Sequence, residues 1–217
     1  MAKVVVALEV GSKRSFASAL DWPGWSRGAK TPEQAIEALE LYAPRYAAVA
    51  KRAGVEFPKA ARFDVTERLK GDASTDYGVP GRPVAVEGEP IKKAEVERMC
   101  ALVEACWDYL DAVVKKAPAE LRKGPRGGGR DRDKMVDHVL GAESEAYSPK
   151  LGLKLPHPAI DDRKTITANR RAILEALRAG ADGKPLRERG WPVRYAARRI
   201  AWHALDHAWE IEDRTDR

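Results

Sequence analysis

The sequence predicts an α+β protein: a small β-β-β-α-β unit over residues 1–72, a linker over 73–89, and an antiparallel four-helix bundle over 90–217. Three observations predict it. Valine-rich and alternating segments crowd the first seventy residues, as half-buried strands require. Glycine and proline (Gly71, Gly78, Pro80, Gly81, Pro83, Gly88, Pro90) then punctuate residues 71–90, and no period survives there. Beyond them, apolar residues recur at helical spacing in four successive segments.

The elements follow in order. Residues 3–10 read as a strand, Gly11-Ser12-Lys13 as a turn, and residues 14–20 as a second strand, which makes a hairpin. Asp21-Trp22-Pro23-Gly24 is a turn, because Pro23 fixes φ and Gly24 permits positive φ. Residues 25–29 give a short third strand. Thr31 then caps a helix with Pro32 at its first position and Gln34 three residues on. Pro44 kinks or divides this helix, which ends near Gly54. Residues 62–69 alternate as one more strand. The four bundle helices are predicted over residues 91–116, 131–147, 165–179 and 193–213, with loops at 123–130 and 155–158.

Bulk properties limit the function. The chain has 217 residues, 33% charged and 44% hydrophobic, with net charge +6. The basic excess is spread thinly rather than gathered in one arm, so nothing argues for nucleic-acid binding. No stretch approaches the roughly 20 apolar residues that span a bilayer, and the run from Val4 to Leu8 is too short for a signal-peptide core. A cytoplasmic protein with no membrane partner is the expectation. Cys100 and Cys106, six apart on one helix, point away from each other and read as reduced core residues.

Histidine is scarce, four in all, and three lie in two of the predicted helices. His203 and His207 are four apart, which stacks their rings on one helical face about 5–6 Å apart at Cβ. Ile200 and Ile211 flank them, so the pair faces the bundle core. Buried imidazoles need partners, and a shared metal ion supplies one. His138, flanked by Met135, Val139 and Leu140, offers a third nitrogen from the second bundle helix. Three protein ligands with an open position describe a reactive site. Asp137, Asp206 and Glu210 are candidates to orient the ligating rings. His157, between two prolines, reads as a surface residue.

Arginines 187, 189, 194, 198 and 199 precede the histidine pair. A solvated basic face accounts for most of them; Arg198 and Arg199 are also candidates to bind a substrate carboxylate. The Gly-rich loop 122–130 reads as a connector or as a flap near the metal. Trp107, Trp191, Trp202 and Trp209 read as core or pocket wall.

The helical pattern, with Asp137-His138-Val139-Leu140-Gly141-Ala142-Glu143 and Ala201-Trp202-His203-Ala204-Leu205-Asp206-His207-Ala208-Trp209-Glu210-Ile211, resembles the DinB superfamily over residues 90–214. That superfamily includes mycothiol- and bacillithiol-dependent transferases. The resemblance implies a zinc or nickel ion on His138, His203 and His207, a small thiol held as thiolate, and an electrophilic substrate. Imidazole ligands by themselves suit zinc, nickel, copper and iron alike. The run from Phe16 to Gly28, followed by Thr31-Pro32-Glu33-Gln34-Ala35-Ile36-Glu37-Ala38, resembles the HicB-like fold of antitoxins. No DNA-binding segment follows it. The front unit therefore reads as an interaction or homodimerisation module, or as a stabilising appendage. The alternative to an enzyme is a non-catalytic, metal-stabilised scaffold that binds protein or RNA through its HicB-like unit.

Overall fold

A computed structural model describes residues 2–58, 61–124 and 128–215. The protein is mixed α+β, with a four-stranded sheet and seven α-helices among the described residues. The strands are β1 (Ala2–Val10), β2 (Ser15–Ala19), β3 (Ser26–Ala29) and β4 (Ala61–Lys70), in the order β3-β2-β1-β4. β1 pairs antiparallel with β2 and parallel with β4, with a register shift between Val6 and Ala7. A parallel partner cannot be reached by a tight turn. The connection from β3 to β4 therefore runs through α1 (Pro32–Leu41) and α2 (Ala43–Arg52). Thr31 caps α1, its Oγ1 accepting from Gln34 N at 3.2 Å. Pro44, which has no N–H to continue a helix, sits in the first turn of α2, so the predicted single helix is divided at Tyr42.

Residues 73–89 are not a bare linker. They hold a short helix, α3 (Ala73–Tyr77), capped by Asp72, and a 3₁₀ turn at Ala85–Gly88. Their order comes from polar groups, which carry no hydrophobic period. Buried Glu9 of β1 accepts from the Thr75 hydroxyl and from the backbone N–H of Gly81 (3.1 Å) and Arg82 (3.0 Å).

The long helices are α4 (Lys93–Lys116), α5 (Arg132–Gly141), α6 (Arg163–Ala179) and α7 (Val193–Arg214). The segment predicted as one helix over 131–147 is α-helical only to Gly141. It widens to a π-helix over Ala142–Tyr147 and tightens to a 3₁₀ turn over Ser148–Leu151. Ser144 Oγ donates to Leu140 O (2.9 Å) and Ser148 Oγ to Ser144 O (2.7 Å). Such back-bonding competes with the helical ladder, and Pro149 removes a donor where the ladder would continue. No helix among the described residues is long and apolar enough to cross a membrane. Cys100 and Cys106 are buried and free. Residues 125–127 of the Gly-rich loop lie outside the described residues.

α7 lies at the centre, buried along most of its length. One of its faces meets the front unit at every turn. Arg198 approaches Ser18 Oγ at 3.4 Å, Trp202 packs edge-on against Phe16, and Asp206 pairs with Arg27 at 2.9 Å. Trp209 meets the Tyr42 ring, and Asp213 and Glu212 take Arg45. The Pro23-Gly24 turn packs closely into this seam. Pro23 O accepts from the Tyr46 hydroxyl (2.8 Å), and a Cβ on Gly24 would stand 2.8 Å from Leu205 Cδ1 and 3.2 Å from Ala201 Cβ.

Gly24 also has φ +93°, where a side chain is strained. Gly24→Ala should therefore destabilise the protein by about 2–4 kcal/mol, from backbone strain and overpacking together. Urea unfolding of the variant beside the wild type measures it, and a loss below about 0.5 kcal/mol would contradict this account of the seam.

Candidate metal centre

The second face of α7, turned from the first by one residue, carries Arg199, His203, His207, Glu210 and Arg214. Spacings of three and four keep these side chains in one row. The row looks toward α5 and the π-helical segment, and His138 of α5 meets it there. His203 Nε2 lies 3.2 Å from His138 Nε2 and 3.2 Å from His207 Nε2. All three ligand atoms fall within 4.8 Å of one another. Tetrahedral metal–nitrogen bonds of 2.0–2.1 Å would place two ligand nitrogens about 3.3 Å apart. The two separations from His203 match that value, and the whole set lies within 4.8 Å.

The protonation states fit as well. Burial first, then the neighbouring imidazoles, holds His203 well below the usual imidazole range. The same causes lower His138. Neutral imidazoles are the form that binds a metal, with no proton to displace. Glu210 accepts from His207 Nδ1 at 3.3 Å and from Arg214 Nη1 at 2.9 Å. The bond from His207 is the largest cause that holds the Glu210 carboxyl below its usual range. Arg214 is fixed in turn by the carbonyls of Arg122 (2.7 Å) and Arg130 (2.8 Å). The chain His207–Glu210–Arg214 sets which nitrogen of His207 is free for an ion.

Three of the predicted site residues bind other partners. Asp137 is one residue from His138, about 100° around the helix, and binds His157 Nε2 at 3.1 Å. Asp206 sits on the front-facing side of α7 and pairs with Arg27. Arg198 is on that side too, buried in a pair with Glu87 at 2.6 Å, so it is not open to a substrate. Of the candidates beyond the three histidines, Glu210 and Arg199 share the metal face. His157 is exposed, as expected, and bridges Asp137 and Glu145.

Two residues on this side of the protein were not anticipated. The Tyr147 ring stands edge-on to His203, with centroids 5.5 Å apart. The π-helical segment places it there, and no sequence signal marks that widening. Glu143 is buried and accepts from Trp107 Nε1 at 2.6 Å. Burial raises its carboxyl to about 7, against the lowering pull of Arg170.

Compared with protein-family models, with curated proteins and with solved structures, the chain shows no significant match.

Two outcomes are expected. First, purified protein should take up one equivalent of zinc or nickel, and His203→Ala should not. Zinc at about a hundred times its dissociation constant should stabilise the wild type by about 2.7 kcal/mol and leave His203→Ala unmoved, read by thermal unfolding. Second, the raised Glu143 pKa sets a pH dependence. Between the ordinary value of 4.5 and about 7 the unfolded chain sheds this proton while the folded chain keeps it. Stability from this group therefore falls as pH rises through that window and is level above it. Glu143→Gln, which keeps an acceptor for Trp107, should be more stable than wild type at pH 8 by up to about 3 kcal/mol. The difference should vanish near pH 4.5. Denaturant midpoints at the two pH values measure it.

Proposed function

We propose that this protein is a divalent-metal-dependent enzyme of the DinB type that transfers a small thiol, such as mycothiol or bacillithiol, to an electrophilic substrate. On this reading the four long helices form a DinB-like bundle and the front unit is HicB-like. One observation carries the proposal: three imidazole nitrogens converge at metal-ligand spacing, and the cluster contains no fourth ligating side chain among the described residues. An ion held by His138, His203 and His207 would keep a position open, and the chemistry it would supply is the lowering of a bound thiol's pKa.

The protein's own groups do the remaining work. Glu210, braced by Arg214, holds the Nδ1 proton of His207 and so orients that ring. The Tyr147 ring packs edge-on against His203 and helps hold that ring in place. His203 is 7% and His207 9% exposed, so charge at the site is felt in a medium less polar than water. No nucleophile from the chain is required. The two cysteines are unsuitable in any case, because burial raises both thiols.

A second reading is favoured by the same burial: three imidazoles joining α5 to α7 could serve as a structural clamp alone. Incubating metal-loaded protein with mycothiol, bacillithiol or glutathione and a generic electrophile separates the two. The enzymatic reading expects thiol consumption that disappears in His203→Ala and on chelation. Silence with all three thiols, in protein that still gains stability from zinc, leaves the clamp.

A further inference from the structure

Arg199 stands one turn before His203 on the metal face of α7. It is 6% exposed, and its Cζ lies 4.9 Å from the Trp202 ring centre and 5.5 Å from that of Tyr147. Its Nε and Nη1 are buried with no hydrogen-bond partner among the described residues. Other arginines with largely covered side chains are paired: Arg198 has Glu87, Arg214 has Glu210, Arg170 has Asp111 and Arg27 has Asp206. Arg199 has aromatic faces but no acid among the described residues. A buried cation without a counter-charge is strongly disfavoured unless something else compensates it.

The surroundings share this imbalance. The two rings that flank Arg199 also flank His203, at 5.5 Å from Tyr147 and 6.1 Å from Trp202. His203 Nδ1 is buried without a partner, and so is the Trp202 indole N–H. With an ion on Nε2, which is turned to the other imidazoles, the proton of a neutral His203 would sit on Nδ1. These buried nitrogens thus stand together without a hydrogen-bond acceptor engaging them among the described residues. A group that brings acceptor oxygens and one negative charge would complete it.

We propose that Arg199, between Tyr147 and Trp202, is the binding point for a carboxylate on the electrophilic substrate. This rests on the metal-dependent reading above, since it places the carboxylate one helical turn from the ligand cluster. A single guanidinium matches a singly charged group, and a carboxylate accepts from it through two oxygens. The substrate class is therefore a carboxylic acid whose reactive carbon lies a short distance from its acid group.

Calorimetric titration of the zinc-loaded full-length protein with benzoate, and with benzamide as the neutral isostere, tests this. Benzoate should bind one to one, and benzamide at least about tenfold more weakly. Arg199→Gln should weaken benzoate by about tenfold or more, with Arg199→Lys recovering part of the loss. Zinc stoichiometry should be unchanged in both variants. Melting temperature provides a readout that a structural arginine would move the other way: Arg199→Gln should melt at or above the wild-type temperature, because it removes an uncompensated buried charge. Absence of benzoate binding to the wild type, or equal binding to Arg199→Gln, overturns the proposal, as does tighter binding of inorganic phosphate. If 3-mercaptopropionate displaces benzoate and outbinds 2-mercaptoethanol by more than about tenfold, the carboxylate belongs to the thiol and the assignment to the electrophile fails. Failure of the metal reading is a separate result, no zinc uptake, and benzoate titration of metal-free protein still reports on Arg199.

Discussion

A helix buried on nearly every side constrains everything around it, and α7 is such a helix. Ala197, Ala201, Ala204 and Ala208 are fully buried along it. Their small side chains let neighbouring backbones come close, as the Gly24 turn does at Ala201. The larger residues then divide between two adjacent faces. Arg198, Trp202, Asp206, Trp209 and Asp213 belong to the front sheet and its helices; Arg199, His203, His207, Glu210 and Arg214 belong to the metal centre. Because both rows are rigidly spaced on one helix, the packing of the front unit fixes the rotation of α7 and hence the aim of the imidazoles.

Burying so many charges is tolerable only if each is matched. The Arg198–Glu87 pair is 3% exposed at both side chains, and Arg198 also donates to Arg82 O at 2.9 Å. Pairs of this kind add little net stability over an apolar contact, yet losing one partner is costly. Their effect is to define position. Glu87 holds the 3₁₀ turn of residues 85–88 against α7, as Glu9 holds residues 75–82 against β1. The segment between sheet and helices thus becomes part of one continuous body, whose core runs from Val4 through Trp25 to Trp209 and Ile211.

This explains what the sequence could and could not reveal. Local periodicity and turn chemistry disclosed the strands, the Pro23-Gly24 turn, the capped helix at Thr31 and the long helices, because those signals live within a few residues. The i, i+4 spacing of His203 and His207 disclosed the core of the site for the same reason. The order of residues 73–89 was hidden, since it depends on two buried carboxylates whose partners lie far away in sequence. Asp137, Asp206 and Arg198 turn to other partners for one reason: a neighbour in sequence is about 100° away on a helix, whereas Glu210 and Arg199, three and four residues from a histidine, stay on its face. Tyr147 was missed because a π-helical turn shifts the register of everything after it.

The two faces of α7 differ in how much holds them without a ligand. The front-facing row is secured by aromatic packing, cation–π contact of Arg27 over Tyr42 at 3.9 Å, and ion pairs. On the other side, α5 touches α7 far less than α4 does, and its ladder ends in the π-helical segment. His138 is the residue through which α5 reaches the site. An ion shared by His138, His203 and His207 would therefore add most where the protein's own contacts are thinnest, joining α5 and the π turn to a helix the rest of the chain has already fixed. That asymmetry suits a site in which one side is rigid scaffold and the other can adjust to what binds between them.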